Sequence, residues 1–376
     1  MSSFPTSVAV LFGGPSPEHD VSVLTGLQAV RGLADVGAVR EVHALYWSRS
    51  GDFFEVPGAL EAPAFIGGAP DGSCRVELVL GPGGGFVVRR GGMRPRADRI
   101  EVEAALVCCH GGPGEDGSLQ GALDLAGIAY TGPSGAGAAL GMDKLAFGAV
   151  VREAGVPCLD RVALRPETPA PAFGGPYIVK PRFGGSSIGI EVVADFATAT
   201  ARLGANVHLR RGAVLEPYRP DLADLQVAVR SWPHVELSAI ERPLRASAGG
   251  EILGYADKYV GGAGMAGAPR ELPARITDKL ADQLREIARE VAAVVEVRGV
   301  ARVDFLSDGD EIFVNEVNTI PGSLARHLFV EPPLPFADLL AGLLSEAVER
   351  PAAQMSSAGA DGLVLRSAES IAAKLA

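Results

Sequence analysis

Ala301-Arg-Val-Asp-Phe305, a short polar break, and Val314-Asn-Glu-Val-Asn-Thr-Ile-Pro-Gly322 put an Arg, two carboxylates and a side-chain amide onto what reads as a β-hairpin. Glu316 and Asn318 are two apart, so on a strand they share one face. Ser307-Asp-Gly-Asp-Glu311 carries the turn signal. With a three-residue loop from Asp308 to Asp310, Arg302 pairs across from Glu316, and Asp304 lies on the same face beside Asn318. A two-residue loop would turn Asp304 to the other face. Hard oxygen donors with no His or Cys among them suit Mg²⁺, which is held by one or two carboxylates plus substrate phosphates. The competing reading is a solvated acidic hairpin. Against it, Val303, Phe305, Phe313 and Val317 make the opposite face apolar, as a buried sheet requires.

Three other stretches carry polar groups at loop positions. Lys180-Pro-Arg-Phe-Gly-Gly-Ser-Ser-Ile-Gly189 places a Lys at a strand end before a loop whose backbone N–H groups and hydroxyls can approach a polyphosphate. The Lys precedes the glycines, so this is not a Walker A loop, and an ordinary hairpin loop explains the stretch about as well on its own. In His110-Gly-Gly-Pro-Gly-Glu-Asp-Gly117 a tight strand-to-helix turn accounts for the glycines but not for His110. Gly14-Pro-Ser-Pro-Glu-His-Asp20 presents Glu18 where a ligand amine can be held, and Asp20 as the expected N-cap of the next helix.

These residues need a scaffold of some size. The chain has 376 residues, 47% of them hydrophobic, which predicts two or three domains. The formal charge of -11, from 45 acidic and 34 basic residues without a Lys/Arg block, excludes a nucleic-acid footprint. The first residues lack a basic and apolar signal segment, and no uninterrupted apolar run reaches membrane length, so a cytoplasmic protein with no membrane partner is expected. The four cysteines have neither disulfide nor zinc spacing and read as small core residues, with Cys158 the more exposed.

The elements read as α/β. Ser7 to Phe12 is an apolar run ending in Gly13-Gly14, the pattern of a buried parallel strand entering a helix. Arg40 to Trp47 and Ala104 to Cys109 are further strands, and His110 stands at the carboxyl end of the latter, where open α/β sheets bind ligands. Phe53 to Gly92 contains short β-like pieces without an order. A helix covers Leu119 to Ala126, and Asp143 starts another that Gly155-Val-Pro157 ends. Strands at Tyr177 to Lys180, Ile188 to Val193, Ala213 to Glu216 and Leu225 to Val229, with a helix from Ala194 to Leu203, predict a small lid-like domain. Strands near Val235 to Ile240 and Ile252 to Tyr255 follow. Leu280, Leu284, Ile287, Val291 and Val294 then repeat at helical period between Thr277 and Val295, and a last helix covers Phe336 to Val348. The expected division is 1–140, 141–230 and 231–350, with 351–376 as a loosely attached tail.

Taken together, Phe12 to Gly14 with Glu18 to Ser22, His110 to Gly117 with Gln120, Met142 to Lys144, Lys180 to Gly189, Asp257 to Tyr259 and the hairpin through Gly322 resemble, in that order, the D-alanine:D-alanine ligases of the ATP-grasp superfamily. The resemblance spans about residues 7 to 335. It implies an N-terminal Rossmann-like substrate domain, a central lid and a C-terminal mixed-sheet catalytic domain. It also implies that Lys144 and Lys180 contact ATP phosphates, that Glu216 with Pro217, Tyr218 and Arg219 reads the adenine, and that Asp224 stands for a ribose-binding Glu. Asp304, Glu316 and Asn318 would hold two Mg²⁺ ions, or Mn²⁺. Glu18 would grip the amino group of the first amino acid, with Ser186 and Tyr259 completing a hydrogen-bonded group. Lys258 would sit beside them on a loop from about Ala256 to Pro273, and His110 is placed at the substrate. Arg302 and the Gly322 N–H would stabilise the oxyanion.

The implied reaction phosphorylates one amino acid's carboxylate with ATP and then joins the acyl phosphate to a second amine. Peptidoglycan precursor synthesis and a homodimer follow from the same resemblance. Departures fall on the acceptor side: in Ser323-Leu-Ala-Arg-His-Leu328, His327 takes the position of a carboxylate-binding Ser next to Leu328, and Gly184 replaces a Glu before the paired serines. A protonated His327 can bind a carboxylate, but its bulk reshapes the pocket. Two alternatives therefore stand beside the leading one. One is a specialised amino-acid ligase with another acceptor, and the other is a nucleotide-binding regulatory protein without turnover.

Overall fold

The computed structural model describes residues 4–81, 83–90, 96–244, 269–353 and 358–366. The first sheet is built on β1 (Ser7–Gly13), whose seven residues are all buried, as its apolar run demands. From β2 (Glu41–Trp47) the chain continues through β3 (Phe53–Val56), β4 (Cys74–Val79), β5 (Gly85–Arg90) and β6 (Arg96–Arg99), then to β7 (Ala104–Val107) and β8 (Ala129–Tyr130). The spatial order is β6-β5-β4-β3-β2-β1-β7-β8. β2, β1, β7 and β8 are parallel, while β3 to β6 add an antiparallel meander to the β2 edge, which gives the 53–92 stretch its order. Cys74 on β4 is exposed and not a core residue.

Helix α1 (His19–Gly32) follows β1. Its N-cap is Glu18 and not Asp20, which lies in the first turn. Ser22 fixes the helix by accepting the Gly13 N–H at 2.7 Å and donating to the Cys108 carbonyl at 2.8 Å. These two bonds bring Glu18 beside the end of β7.

The second sheet is antiparallel, in the order β11-β10-β12-β9, from β9 (Val162–Leu164), β10 (Tyr177–Pro181), β11 (Glu191–Val193) and β12 (Ala213–Pro217). α2 (Phe196–Ala205) packs on it, capped by Asp195 through the Thr198 N–H at 2.8 Å. The strand read at Leu225 to Val229 does not join this unit. As β13 (Ala223–Arg230) it is the centre of a third sheet with β14 (Glu236–Pro243), β15 (Arg270–Glu271), β16 (Val300–Ser307) and β17 (Ile312–Asn318), in the order β15-β14-β13-β16-β17. Leu225, Val227, Ala228 and Val229 are all buried, which a strand central to the larger sheet satisfies and an edge strand would not. In the sheet expected to be mixed, every pairing among the described residues is antiparallel. α3 (Asp278–Val294) covers it with Leu280, Leu284 and Val291, and Thr277 caps it by accepting the Leu280 N–H at 3.3 Å.

Two helices carry the chain between the first and second sheets. Helix Gly135–Met142 ends against β17, where a side chain at Gly141 would place its Cβ 2.7 Å from Thr319 Cγ2. Helix Lys144–Glu153 then starts at Asp143, whose carboxylate accepts the Leu145 and Ala146 N–H groups and pairs with Arg182. Among the described residues no helix is long and apolar enough to cross a membrane.

Candidate active site

The hairpin β16–β17 differs from its expected register. Ser307 pairs with Ile312, so the loop holds four residues, and a bulge between Asp304 and Phe305 restores the parity that an even loop would lose. Asp304 therefore faces Glu316, and Arg302 faces Asn318, where Arg302 opposite Glu316 was expected. The expected common face survives. The bulge also releases Asn315, whose Oδ1 accepts from Lys180 Nζ at 3.1 Å.

Lys144 and Lys180 reach this face from two elements. Lys144 Nζ lies 3.5 Å from Glu316 Oε2 and donates to the Gly184 carbonyl at 2.5 Å. Lys180 donates to Glu216 Oε2 at 2.6 Å, and Arg161 Nε stands 2.8 Å from Glu216 Oε1 as an ion pair outside hydrogen-bond geometry. Burial alone would raise the Glu216 carboxyl. The charges of Arg161 and Lys180 outweigh it and hold the group below its ordinary value. Pro217, Tyr218, Arg219, Asp224, Asn315 and Glu316 line the same cleft, between the second and third sheets.

Asp304 is engaged on both oxygens: Arg302 Nε reaches Oδ1 at 2.6 Å, Nη2 reaches Oδ2 at 2.8 Å, and Asn318 Nδ2 adds a bond to Oδ2 at 3.1 Å. Two carboxylates and one amide, all hard donors facing a lysine-lined cleft, fit a divalent cation shared with a phosphate.

Glu18 meets the Gly-rich loop from across the cleft, where Ser186 Oγ donates to its Oε1. Gly111, at φ +63, suits a glycine, and a Cβ there would lie 2.4 Å from Glu18 Oε2 and displace that carboxylate; at Gly185 the distance would be 2.9 Å. Ser186 and Ser187 take left-handed φ values of 52° and 59°, which turns the loop back over Glu18.

His110 is buried, with Nδ1 2.6 Å from the Ile320 carbonyl and Nε2 2.8 Å from Thr25 Oγ1. Glu115 accepts from the N–H groups of Gly111 at 2.9 Å and Ile320 at 3.0 Å, and from the Thr319 hydroxyl at 3.3 Å. Burial, with the neighbouring charge of Glu18, raises its carboxyl to about 7. His327 Nε2 lies 3.4 Å from Oε2 of the buried Glu241, whose Oε1 is 3.1 Å from Arg270 Nη1. The Leu328 side chain is fully buried in the core, and Gly322 opens the turn before it. Lys258 and Tyr259 lie outside the described residues, as do the strand read at Ile252 to Tyr255 and most of the loop from Ala256 to Pro273. The sequence reading gave no role to Asn315, Arg161, Thr25, Glu115 or Glu241. Glu115 and Asn315 lay inside quoted motifs, and the other three carried no local signal.

A Rossmann-like first domain and two further sheets enclosing a lysine-lined cleft with an acidic hairpin define the ATP-grasp class. Solved structures share this fold: D-alanyl-alanine synthetase A from Vibrio cholerae aligns with a TM-score of 0.75 at 20% identity over 93% of this chain and 100% of that one. The D-alanine-D-alanine ligase from Coxiella burnetii gives 0.72 at 22%, over 93% and 95%. Residues 7–133 match the D-ala D-ala ligase N-terminus family and residues 141–344 the D-ala D-ala ligase C-terminus family. A D-alanine–D-alanine ligase from Mycolicibacterium vanbaalenii is 32% identical over 91% of this chain and 97% of its own length. One from Bradyrhizobium sp. (strain BTAi1) is 32% identical over 92% and 96%. The chain belongs to the D-alanine–D-alanine ligase family.

Proposed function

We propose that the protein joins two molecules of D-alanine at the expense of ATP, releasing the dipeptide, ADP and phosphate for peptidoglycan precursor synthesis. The observation that carries the reading is the convergence of Lys144, Lys180 and the Asp304–Glu316 face on one cleft, with Glu18 closing onto Ser186. The relatives' names agree with it. They lend no support to a specialised acceptor or to a protein without turnover.

Glu18, with Ser186 as its hydrogen-bond partner, binds the ammonium of the first D-alanine. Lys144 and Lys180, whose side chains are buried, hold the ATP phosphates at positions where charge is poorly screened. Because the Glu216 carboxylate is already paired with Lys180 and Arg161, the main chain from Glu216 through Pro217 and Tyr218 to Arg219 is left to read the adenine, with Asp224 at the ribose. Asp304, Glu316 and Asn318 would hold the divalent ions, two Mg²⁺ or Mn²⁺ in their place, which would offset the charge of the transferring phosphoryl group. A carboxylate oxygen of the first D-alanine attacks the γ-phosphorus and ADP leaves. The amine of the second D-alanine then attacks the acyl carbon, the oxyanion is stabilised by Arg302 and the Gly322 N–H, and phosphate leaves. The working unit in this reading is a cytoplasmic homodimer.

The test is phosphate release and dipeptide formation from ATP and Mg²⁺ with paired D- and L-amino acids. D-alanine alone should give one phosphate per dipeptide, with L-alanine inert. Turnover only with a different pair, or none, overturns the reading.

A further inference from the structure

Six hydrogen bonds run through Thr25, His110 and Glu115, and elementary donor rules assign a direction to each. A carbonyl only accepts, so His110 Nδ1 carries the proton and donates to the Ile320 carbonyl at 2.6 Å. Burial drives the imidazole down to about 4, so the ring is neutral near pH 7 and Nε2 is an acceptor. The Thr25 hydroxyl therefore donates to Nε2 at 2.8 Å, and its oxygen accepts the Ser323 N–H at 3.0 Å. Glu115 receives the Ile320 N–H and the Thr319 hydroxyl on one oxygen and the Gly111 N–H on the other. Ile320 is thus gripped on both its N–H and its carbonyl, Ser323 on its N–H, and Gly322 lies between the two grips.

The held segment leads into a turn that does not keep its shape by preference. Ser323, Leu324 and Ala325 all have φ between 51° and 52°, left-handed values costly for residues with a Cβ. They carry the chain to His327. Both ring nitrogens of His110 are committed to this chain of bonds, so neither is left to bind substrate.

Resting on the proposed ligase reading, we infer that Thr25 and His110 are positioning residues for the second-amino-acid side of the reaction: they fix the turn 320–325 so that the Gly322 N–H and His327 meet the tetrahedral centre and the acceptor. The donor side, organised by Glu18 and Ser186, does not depend on the Thr25 hydroxyl.

The experiment uses the full-length protein and two variants that differ by one hydroxyl, Thr25→Ser and Thr25→Ala, with Thr25→Val as a closer match to the native volume. KM for each D-alanine site, kcat and the thermal midpoint are measured. The variants without the hydroxyl should raise the acceptor KM roughly five- to tenfold and lower kcat, as expected for a lost buried hydrogen bond. The donor KM should stay put, and Thr25→Ser should stay near wild type. Equal rises in both KM values, a defect shared by Thr25→Ser, or a lowered thermal midpoint with unchanged kinetics overturns the inference. A wild-type protein without dipeptide synthesis would instead overturn the ligase reading, and that outcome is visible before any variant is compared.

Discussion

Arg302 forks onto Asp304, Nε to Oδ1 at 2.6 Å and Nη2 to Oδ2 at 2.8 Å, so the residue proposed for the oxyanion and a residue proposed for the metal occupy each other. Their neighbours fix the pairing, with Asn318 on the same carboxylate and Glu316 across the strand. A cation held at Asp304 would share its carboxylate with the guanidinium, so metal binding and the freedom of Arg302 to turn toward developing negative charge would be coupled.

Arg302→Gln separates these two effects. Bonds to charged groups contribute on the order of 1.5–3 kcal/mol, so releasing Asp304 should tighten Mn²⁺ binding by about tenfold or more. Loss of the oxyanion donor should lower kcat roughly 10²- to 10³-fold. Mn²⁺ binding is read by water-proton relaxation and turnover by phosphate release. Weaker Mn²⁺ binding would show that Arg302 supports the metal site instead of competing with it.

Glu316→Gln acts in the opposite sense. It removes one of two carboxylates from the face and the partner of Lys144 at 3.5 Å, so metal affinity and turnover should fall together, turnover by roughly 10²- to 10³-fold. The circular dichroism melt should stay close to wild type, because the side chain is only half-buried. Near-normal turnover at saturating Mg²⁺ counts against the assignment.

His110 and Glu115 make opposed contributions to stability across the same pH range. Glu115 titrates at about 7 in the fold, above its ordinary 4.5, so the folded state keeps a proton the unfolded chain has lost, and stability falls as pH rises from 4.5 to 7. His110 titrates at about 4, below its ordinary 6.5, so the unfolded chain holds the extra proton, and stability rises with pH from 4 to 6.5. Each amounts to about 3 kcal/mol, with opposite sign, and together they nearly cancel. His110→Asn removes one side of the balance. Its urea midpoint, relative to wild type at each pH, should decline as pH rises from about 4 to about 6.5, the window of His110 alone. A parallel offset at every pH would mean that His110 does not titrate out of register in this way.

The hairpin shows how far the sequence reaches. Alternation along Val303, Phe305, Phe313 and Val317 read as one apolar face, leaving the other to Asp304, Glu316 and Asn318, which do share it. The bulge exchanges Phe313 for Val314, which pairs with Phe305 and is buried, while Phe313 pairs with Leu306. The cross-strand partners were not legible, because the bulge that frees Asn315 for Lys180 leaves no mark in composition. Lys180 and the glycines after it were ambiguous until the fold set them over Glu18 and Glu216. Thr25 was invisible for a different reason. Its role depends on Ser323, 298 residues away, and an isolated Thr in an apolar helix reads as a satisfied core hydroxyl. β13 was misassigned because it follows β12 after a short connection, and proximity in sequence favours one sheet where burial demanded another.

His327 is the acceptor-side departure whose surroundings are now defined. Its Nε2 lies 3.4 Å from Glu241 Oε2, and Arg270 holds the other carboxylate oxygen at 3.1 Å. Burial pushes the Glu241 carboxyl up, but His327, Arg270 and the charge of Arg302 outweigh it and keep it below its ordinary value, so the anion persists beside the imidazole. A protonated His327 can bridge Glu241 and an incoming acceptor carboxylate through its two ring N–H groups, whereas the neutral ring can donate to only one of them. Acceptor KM should therefore be lower in acidic than in alkaline buffer. The acceptor amine must lose its proton to attack, which moves the rate the other way, so KM and not rate is the quantity to follow. His327→Ser should flatten the KM trend. The same substitution leaves Glu241 with Arg270 as its near partner and opens space for the acceptor methyl group, so kcat/KM with D-alanine should rise. An unchanged KM profile in His327→Ser would make His327 a packing residue against Glu241, and the acceptor carboxylate would have to be met by Arg270 or by the main chain of the turn.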